Sequence, residues 1–312
     1  MSSAKGYTLV ICEKPDAARR VSEALSDGAA TSYSLEGTTV FRFSRGKEDF
    51  VVCSAQGHIF GVSDPADERS VYPVFDVEWY PADSVDPGEK GAARRISAVR
   101  KLSAGAASFV NACDFDVEGE TIGFNILRYA CGRREGSAKR ARFSTLTKEE
   151  LVRAFDEAAP QPDQGLAKAG RTRHVVDFVW GVNLSRILSQ SAQVPGMKYR
   201  TVSIGRVQGP TLGFLVEREK DIRSFVPVPS WKVSAEFDAG GRRFWAEHVK
   251  SPMDTELGAR QVAKECDGKP GVVKALTRRS LQVGPPVPFN ISALQKDAYR
   301  VFGFPPNKTM RV

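Results

Sequence analysis

The stretch that decides the fold is Ser108-Phe109-Val110-Asn111-Ala112-Cys113-Asp114-Phe115-Asp116-Val117-Glu118-Gly119-Glu120. It opens as a β-rich run, Ser108–Cys113, and breaks into carboxylates. Ile122, Ile126 and Leu127 then recur on one helical face. A buried strand passing through an acidic turn into a helix is the unit of a parallel α/β layer structure. Asp114 and Asp116 are two residues apart, which at a strand end points both carboxylates to one face. Glu118 begins the helix beside them. Three carboxylates this close repel one another unless a cation or proton intervenes. Oxygen-only donors favour a hard cation such as Mg2+, which takes few carboxylates and keeps waters for phosphate oxygens. The same residues also suit a plain helix N-cap, because acidic groups before a helix satisfy its free N–H groups.

Working outward, Thr8–Cys12 and Val51–Ser54 read as further buried strands, and Ala17–Leu25 as a helix opened by Pro15 and Asp16. In open parallel sheets ligands lie beyond the carboxyl ends of the strands. Glu13, at the end of the first strand, is therefore expected to meet the Asp114/Asp116/Glu118 group, with Lys14 supplying a positive charge for a phosphate. Thr147-Lys148-Glu149-Glu150 predicts a capping box, and Ala159–Gly165 a linker. A long helix follows, with Val176, Val179, Trp180, Leu184, Ile187 and Leu188 at helical spacing. A second helix is expected over 206–222 with Pro210 in its first turn. Residues 231–248 and 271–282 alternate like strands, and 290–301 returns to helix.

The chain has 312 residues, 41% hydrophobic and 26% charged, which excludes wholesale disorder and allows about two domains. Residues 1–150 carry 20 basic and 22 acidic side chains, and residues 151–312 carry 25 and 15. This asymmetry suits a polyanionic partner for the second half, or a solubilising surface. Five scattered cysteines without a Cys-x-x-Cys pair argue against a zinc ribbon or a disulfide framework. No apolar stretch is long enough for a membrane span and no signal-peptide pattern is present, so a cytoplasmic location is expected. No P-loop pattern supports ATP use.

Leu9-Val10-Ile11-Cys12-Glu13-Lys14-Pro15, Gly57-His58-Ile59 and the Asp114–Glu120 cluster with Ile122-Gly123-Phe124 together resemble the Toprim domain of type IA DNA topoisomerases. Phe143–Thr147 resembles the stretch closing that domain. Asp177–Arg186 and Ser203–Leu212 resemble the helical DNA-binding region, and Pro285–Met310 the start of the domain bearing the catalytic tyrosine. Glu-Lys-Pro and Ile-Gly-Phe are closest to the topoisomerase III and archaeal branches. The resemblance implies a Rossmann-like Toprim domain at 1–158, a helical DNA-binding domain at 159–225, the first strands of a β-rich arch at 226–284, and an incomplete tyrosine domain at 285–312. It implies ATP-independent cleavage of one DNA strand through a 5′-phosphotyrosine link, passage of the other strand, and resealing. Carried over by position, Glu13 assists proton transfer at the leaving 3′ oxygen and Lys14 stabilises developing charge. Asp114, Asp116 and Glu118 hold Mg2+. Arg173, Ser203, Arg206, Gln208 and Ser292 lie along single-stranded DNA taken from a supercoiled substrate.

Two departures stand out. Val117 occupies a position where many relatives have arginine. None of Tyr7, Tyr33, Tyr72, Tyr80, Tyr129, Tyr199 and Tyr299 sits in the family's tyrosine motif, so no nucleophile is expected in this chain. A truncated enzyme, inactive alone, is the first expectation. A split enzyme completed by a second polypeptide is another, as are a Toprim-type nuclease or primase using metal-activated attack, and a single-stranded DNA-binding module without catalysis. His58 is read either as a hydrogen-bonding group near the site or as a strand-bridging histidine. Trp180 is expected in the core. Trp79, Trp231 and Trp245 are expected to pack, with base stacking as the alternative. Lys139–Arg142 is read as a solvated basic loop or a phosphate contact.

Overall fold

The computed structural model describes residues 6–66, 71–86, 88–196 and 198–312. By internal packing the chain divides into two units, Met1–Ser224 and Phe225–Val312. In the first unit the elements run β1 (Tyr7–Cys12), α1 (Pro15–Leu25), β2 (Thr31–Leu35), β3 (Thr38–Arg45), β4 (Glu48–Ser54), β5 (Phe60–Ser63), β6 (Glu78–Pro81), α2 (Ala82–Val85), α3 (Ala92–Ala104), β7 (Ala106–Asn111), α4 (Val117–Tyr129), β8 (Lys139–Arg140), α5 (Lys148–Asp156), α6 (Gln164–Ser191) and α7 (Gln208–Ser224).

The main sheet has the order β2-β3-β4-β1-β7-β8. β1 pairs in parallel with β4 and β7, and β7 with β8, while β2, β3 and β4 are antiparallel neighbours. β1 is central and buried on both faces, which is why Leu9-Val10-Ile11-Cys12 is continuously apolar rather than alternating. Leu9 and Ile11 face one layer, against Ile96, Val99 and Leu102 of α3 and Ile122, Ile126 and Leu127 of α4. Val10 and Cys12 face the other, against Ala17, Ala18 and Val21 of α1 and Leu151 and Ala154 of α5. Each of these large aliphatic side chains contributes roughly 1.5–3 kcal/mol on burial. The strands adjoining β1 are reached by connections on either side of it, so the tips of β1 and β7 form the switch point where an open sheet leaves a crevice.

α5 starts at the expected place, but its capping differs. Thr147 makes no side-chain cap bond. Glu150 instead accepts from the Ser144 N–H and the Thr145 hydroxyl, tying the helix to the preceding loop. α6 packs on α4 near its start, where Gly170 permits the contact: a Cβ there would collide with the Thr121 hydroxyl and crowd the Val117 carbonyl. Ala167, Gly170 and Ser189 are its buried residues. Trp180, expected in the core, is 45% exposed, and Val176, Ile187 and Leu188 are exposed with it. Small residues, not the apolar stripe, make the close helix contact.

The second unit carries a hairpin, β9 (Ser234–Ala239) with β10 (Arg242–Glu247), then α8 (Glu256–Cys266), α9 (Ile291–Phe302) and α10 (Pro306–Arg311). Asn290 caps α9 by accepting from the Ala293 N–H at 2.8 Å. Residues 271–282, whose alternation predicts a strand, form no regular element and are exposed throughout. Alternation yields a strand only where a neighbouring strand completes the ladder.

Candidate active site

Glu13 and Lys14 leave the tip of β1, and Asp114 follows shortly after the tip of its parallel neighbour β7. Lys14 Nζ lies 2.5 Å from Asp114 Oδ2 and 3.6 Å from Glu13 Oε1. The Glu13 side chain is 16% exposed. Burial, and next the like charge of Asp114, push its carboxyl above the usual range despite Lys14. The hydrogen bond to Asp114 raises the Lys14 ammonium. Glu13 is thereby suited to proton transfer and Lys14 to meeting negative charge. An open cleft of about 380 Å³ borders Lys14 and Asp114 and is also lined by Asp16, Phe115, Phe143 and Ser144.

The acidic turn is tight. Asp116 caps α4, its Oδ1 accepting from the Gly119 N–H at 2.7 Å, and its own N–H donates to the Asp114 carbonyl at 3.0 Å. Gly119 is required here because a Cβ would collide with that same carbonyl oxygen. Both the capping and the site readings of Asp116 thus describe one residue: one oxygen caps, and a carboxylate has a second to offer.

Beneath the turn sits an ion pair with zero side-chain exposure on both sides, Arg140 Nε to Glu120 Oε1 at 2.8 Å. The guanidinium also donates to the carbonyls of Cys113 (2.7 Å), Asp114 (2.9 Å) and Ala141 (2.6 Å). Glu120 Oε2 accepts from Asn111 Nδ2 at 3.0 Å, and Asn111 Oδ1 accepts from the Cys113 N–H at 3.1 Å. Arg140 therefore fastens the backbone that presents Asp114. The expectation of a solvated or phosphate-binding Arg140 is replaced by this buried role. Its signal in the sequence was weak, since a basic run beside Arg142 gives no hint that one member turns inward to Glu120.

Glu118 faces another way from what carboxylate spacing suggests. Its Oε2 is 2.9 Å from His58 Nε2 and 3.1 Å from His174 Nε2, and its Oε1 accepts from Arg173 at 2.8 Å. Burial works to raise the Glu118 carboxyl, but the hydrogen bonds with His174 and His58 outweigh it and hold it below the ordinary range. Burial, and then His174, depress the His58 imidazolium. Trp79 packs beside the His174 ring, with centroids 5.7 Å apart, and Arg171 lies over Trp79. Arg173 also reaches Asp177 at 3.7 Å, and Asp177 pairs with Arg206. The network runs Glu118–Arg173–Asp177–Arg206, joining the acidic turn to α6 and the segment before α7. Gln208 begins α7, and Ser203 is exposed just upstream. Ser292 is exposed in the first turn of α9, in the second unit. His174 had no sequence signal as a site residue, and Asp177 only its place at the start of the Asp177–Arg186 segment; the packing of α6 on α4 brings both to the acidic turn.

Asp114 and Asp116 offer hard oxygen donors of the kind a divalent cation such as Mg2+ takes, and the counter-charge at Asp114 in this structure is the Lys14 ammonium. Residues 8–146 match the Toprim domain family and residues 161–312 the DNA topoisomerase family. The chain belongs to the type IA DNA topoisomerase family. It is 40% identical over 304 residues to DNA topoisomerase 1 of Pyrococcus furiosus, covering 97% of this chain and 29% of that protein. It is likewise 40% identical to the enzyme of the same name from Methanocaldococcus jannaschii, covering 97% and 39%. The match to that of Aeropyrum pernix is 34%, covering 97% and 44%. The chain thus spans under half the length of these relatives and corresponds to an N-terminal part of a type IA topoisomerase. Among the described residues no helix is long and apolar enough to cross a membrane.

Proposed function

We propose that this chain carries the metal-assisted half of a single-strand DNA cleavage and religation centre, working without ATP on single-stranded segments of supercoiled DNA. The observation that carries the reading is the convergence of Glu13, Lys14 and Asp114 at adjacent parallel strand tips. Glu13, with its raised carboxyl, gives a proton to the leaving 3′ oxygen and takes it back on resealing. Lys14 faces the negative charge that develops on the phosphate, where preformed positive charge contributes most. Asp114 and Asp116 would hold Mg2+, which when bound neutralises phosphodiester oxygens and orients them; Glu118, the third carboxylate of the turn, stands beside them engaged by His58, His174 and Arg173. Arg173 and Arg206, with Ser203 and Gln208, contact the backbone of the single strand from the first unit, and Ser292 is a separate DNA contact of the second unit. No tyrosine of this sequence is assigned as nucleophile. The family's tyrosine domain would complete the reaction, in a cytoplasmic, chromosome-associated setting.

The test is a relaxation assay on supercoiled DNA with Mg2+, alongside cleavage of a labelled single strand. The chain alone is expected to bind the strand without cutting it, and to regain relaxation when a tyrosine-bearing polypeptide is added. Cutting by the chain alone without a covalent protein–DNA adduct would replace this reading with a nuclease, and primer synthesis with a primase.

A further inference from the structure

We propose that His58, Glu118 and His174 form a binding site for one borderline transition-metal ion of the Zn2+ class, separate in chemistry from the all-oxygen pair Asp114 and Asp116. The three donors come from three elements of the first unit: the loop between β4 and β5, the first turn of α4, and the middle of α6. Their donor atoms, His58 Nε2, Glu118 Oε2 and His174 Nε2, lie within 4.8 Å of one another. Around a tetrahedral ion with bonds of roughly 2.0–2.1 Å, donors stand about 3.3 Å apart. The His58 and His174 separations from Glu118, 2.9 and 3.1 Å, need to open by only a few tenths of an ångström.

Two imidazoles and one carboxylate are a donor set that zinc-class ions favour and Mg2+ does not. The three side chains are 29%, 36% and 30% exposed, so a fourth position opens to water. Trp79 flanks the His174 ring. Arg173 is the cation in contact with the cluster; it engages Oε1 and leaves Oε2 to the ion, and Asp177 draws part of its charge away. The support is incomplete, because His58 Nδ1 is buried with no partner among the described residues. Ligating histidines held by such a partner bind roughly 10–100-fold more tightly than those without one, so a moderate affinity is expected. The proposal shares only Glu118 with the strand-cleavage reading and otherwise stands apart from it.

The experiment uses the full chain, stripped with chelator and titrated with Co2+ while visible absorption is followed. One equivalent is expected to bind with the intense d–d bands of a four- or five-coordinate ion, to be displaced by Zn2+, and to persist in millimolar Mg2+. His58→Ala, His174→Ala and Glu118→Gln should each weaken Co2+ at least tenfold with the circular dichroism spectrum unchanged, whereas Asp114→Asn leaves it intact. Cys266→Ser, which removes the exposed thiol, and His248→Ala serve as controls and should leave the spectrum as it is. A spectrum of the hydrated ion alone would overturn the proposal, as would bands that vanish with Cys266→Ser or His248→Ala but survive His174→Ala. Absence of DNA cleavage by the completed wild-type enzyme, with Co2+ binding retained, would count against the cleavage reading only.

Discussion

Replacing Glu120 by glutamine should be among the most damaging conservative changes available to this chain. Arg140 and Glu120 have no exposed side-chain surface, so the guanidinium would lose its anion without gaining water. Glutamine can still accept from Arg140 Nε, but its amide N–H groups would then face Asn111 Nδ2. Asn111 cannot turn over freely, because its Oδ1 already accepts from the Cys113 N–H. Removing one partner of a buried ion pair costs about 3–5 kcal/mol. At roughly 2–4 °C per kcal/mol for a unit of this size, the melting temperature should fall by about 6–20 °C. Arg140→Met strips the carbonyls of Cys113 and Ala141 of a donor, at about 1–3 kcal/mol for each one left unsatisfied. Urea melts of both single variants and the double variant would be combined in a cycle. The double variant should be less damaged than the sum of the singles, since the second change removes the charge that the first left unpaired. Additive losses, or a cost for Glu120→Gln near the roughly 0–1 kcal/mol of an exposed pair, would refute the assignment of this pair as the clamp on the acidic turn.

Other outcomes follow from the same geometry. Glu13→Gln should stabilise the metal-free protein near pH 8. A raised carboxyl pKa makes the ionised form unfavourable in the fold, so the penalty is absent below the ordinary glutamate pKa of about 4.3 and present above the raised value. Urea midpoints in EDTA that show the same gap at low and high pH would contradict this. Asp116→Asn keeps an oxygen to cap the Gly119 N–H, so its melting temperature in EDTA should hold while Mg2+ binding weakens; unchanged Mg2+ binding would mean the residue is only a cap. Single-stranded DNA binding should fall with salt, and Arg206→Ala should reduce the log–log slope by about 0.7, the share of one phosphate contact; an unchanged slope would remove Arg206 from the DNA path.

The layered α/β arrangement was readable from residues alone because its signals are local. Leu9–Cys12 is continuously apolar, as a strand buried on both faces must be, and the Asp114–Glu120 run marks a strand-to-helix turn in any context. Glu13 and Asp114 were predicted to meet because parallel neighbours put their carboxyl ends on one edge, a rule of sheet topology rather than of side chains. Tertiary structure decided the rest. The direction in which Glu118 points depends on His174, 56 residues away on a helix whose approach to α4 is set by Gly170. Arg140 reads as one more surface cation until β8 is laid beside β7 and its side chain is enclosed above Glu120. Trp180 and the 271–282 stretch show the converse, where a clear periodicity found no partner to bury it. Short-range pattern reports what a segment can bury or bond, whereas the partner that accepts it is a property of the whole packed chain.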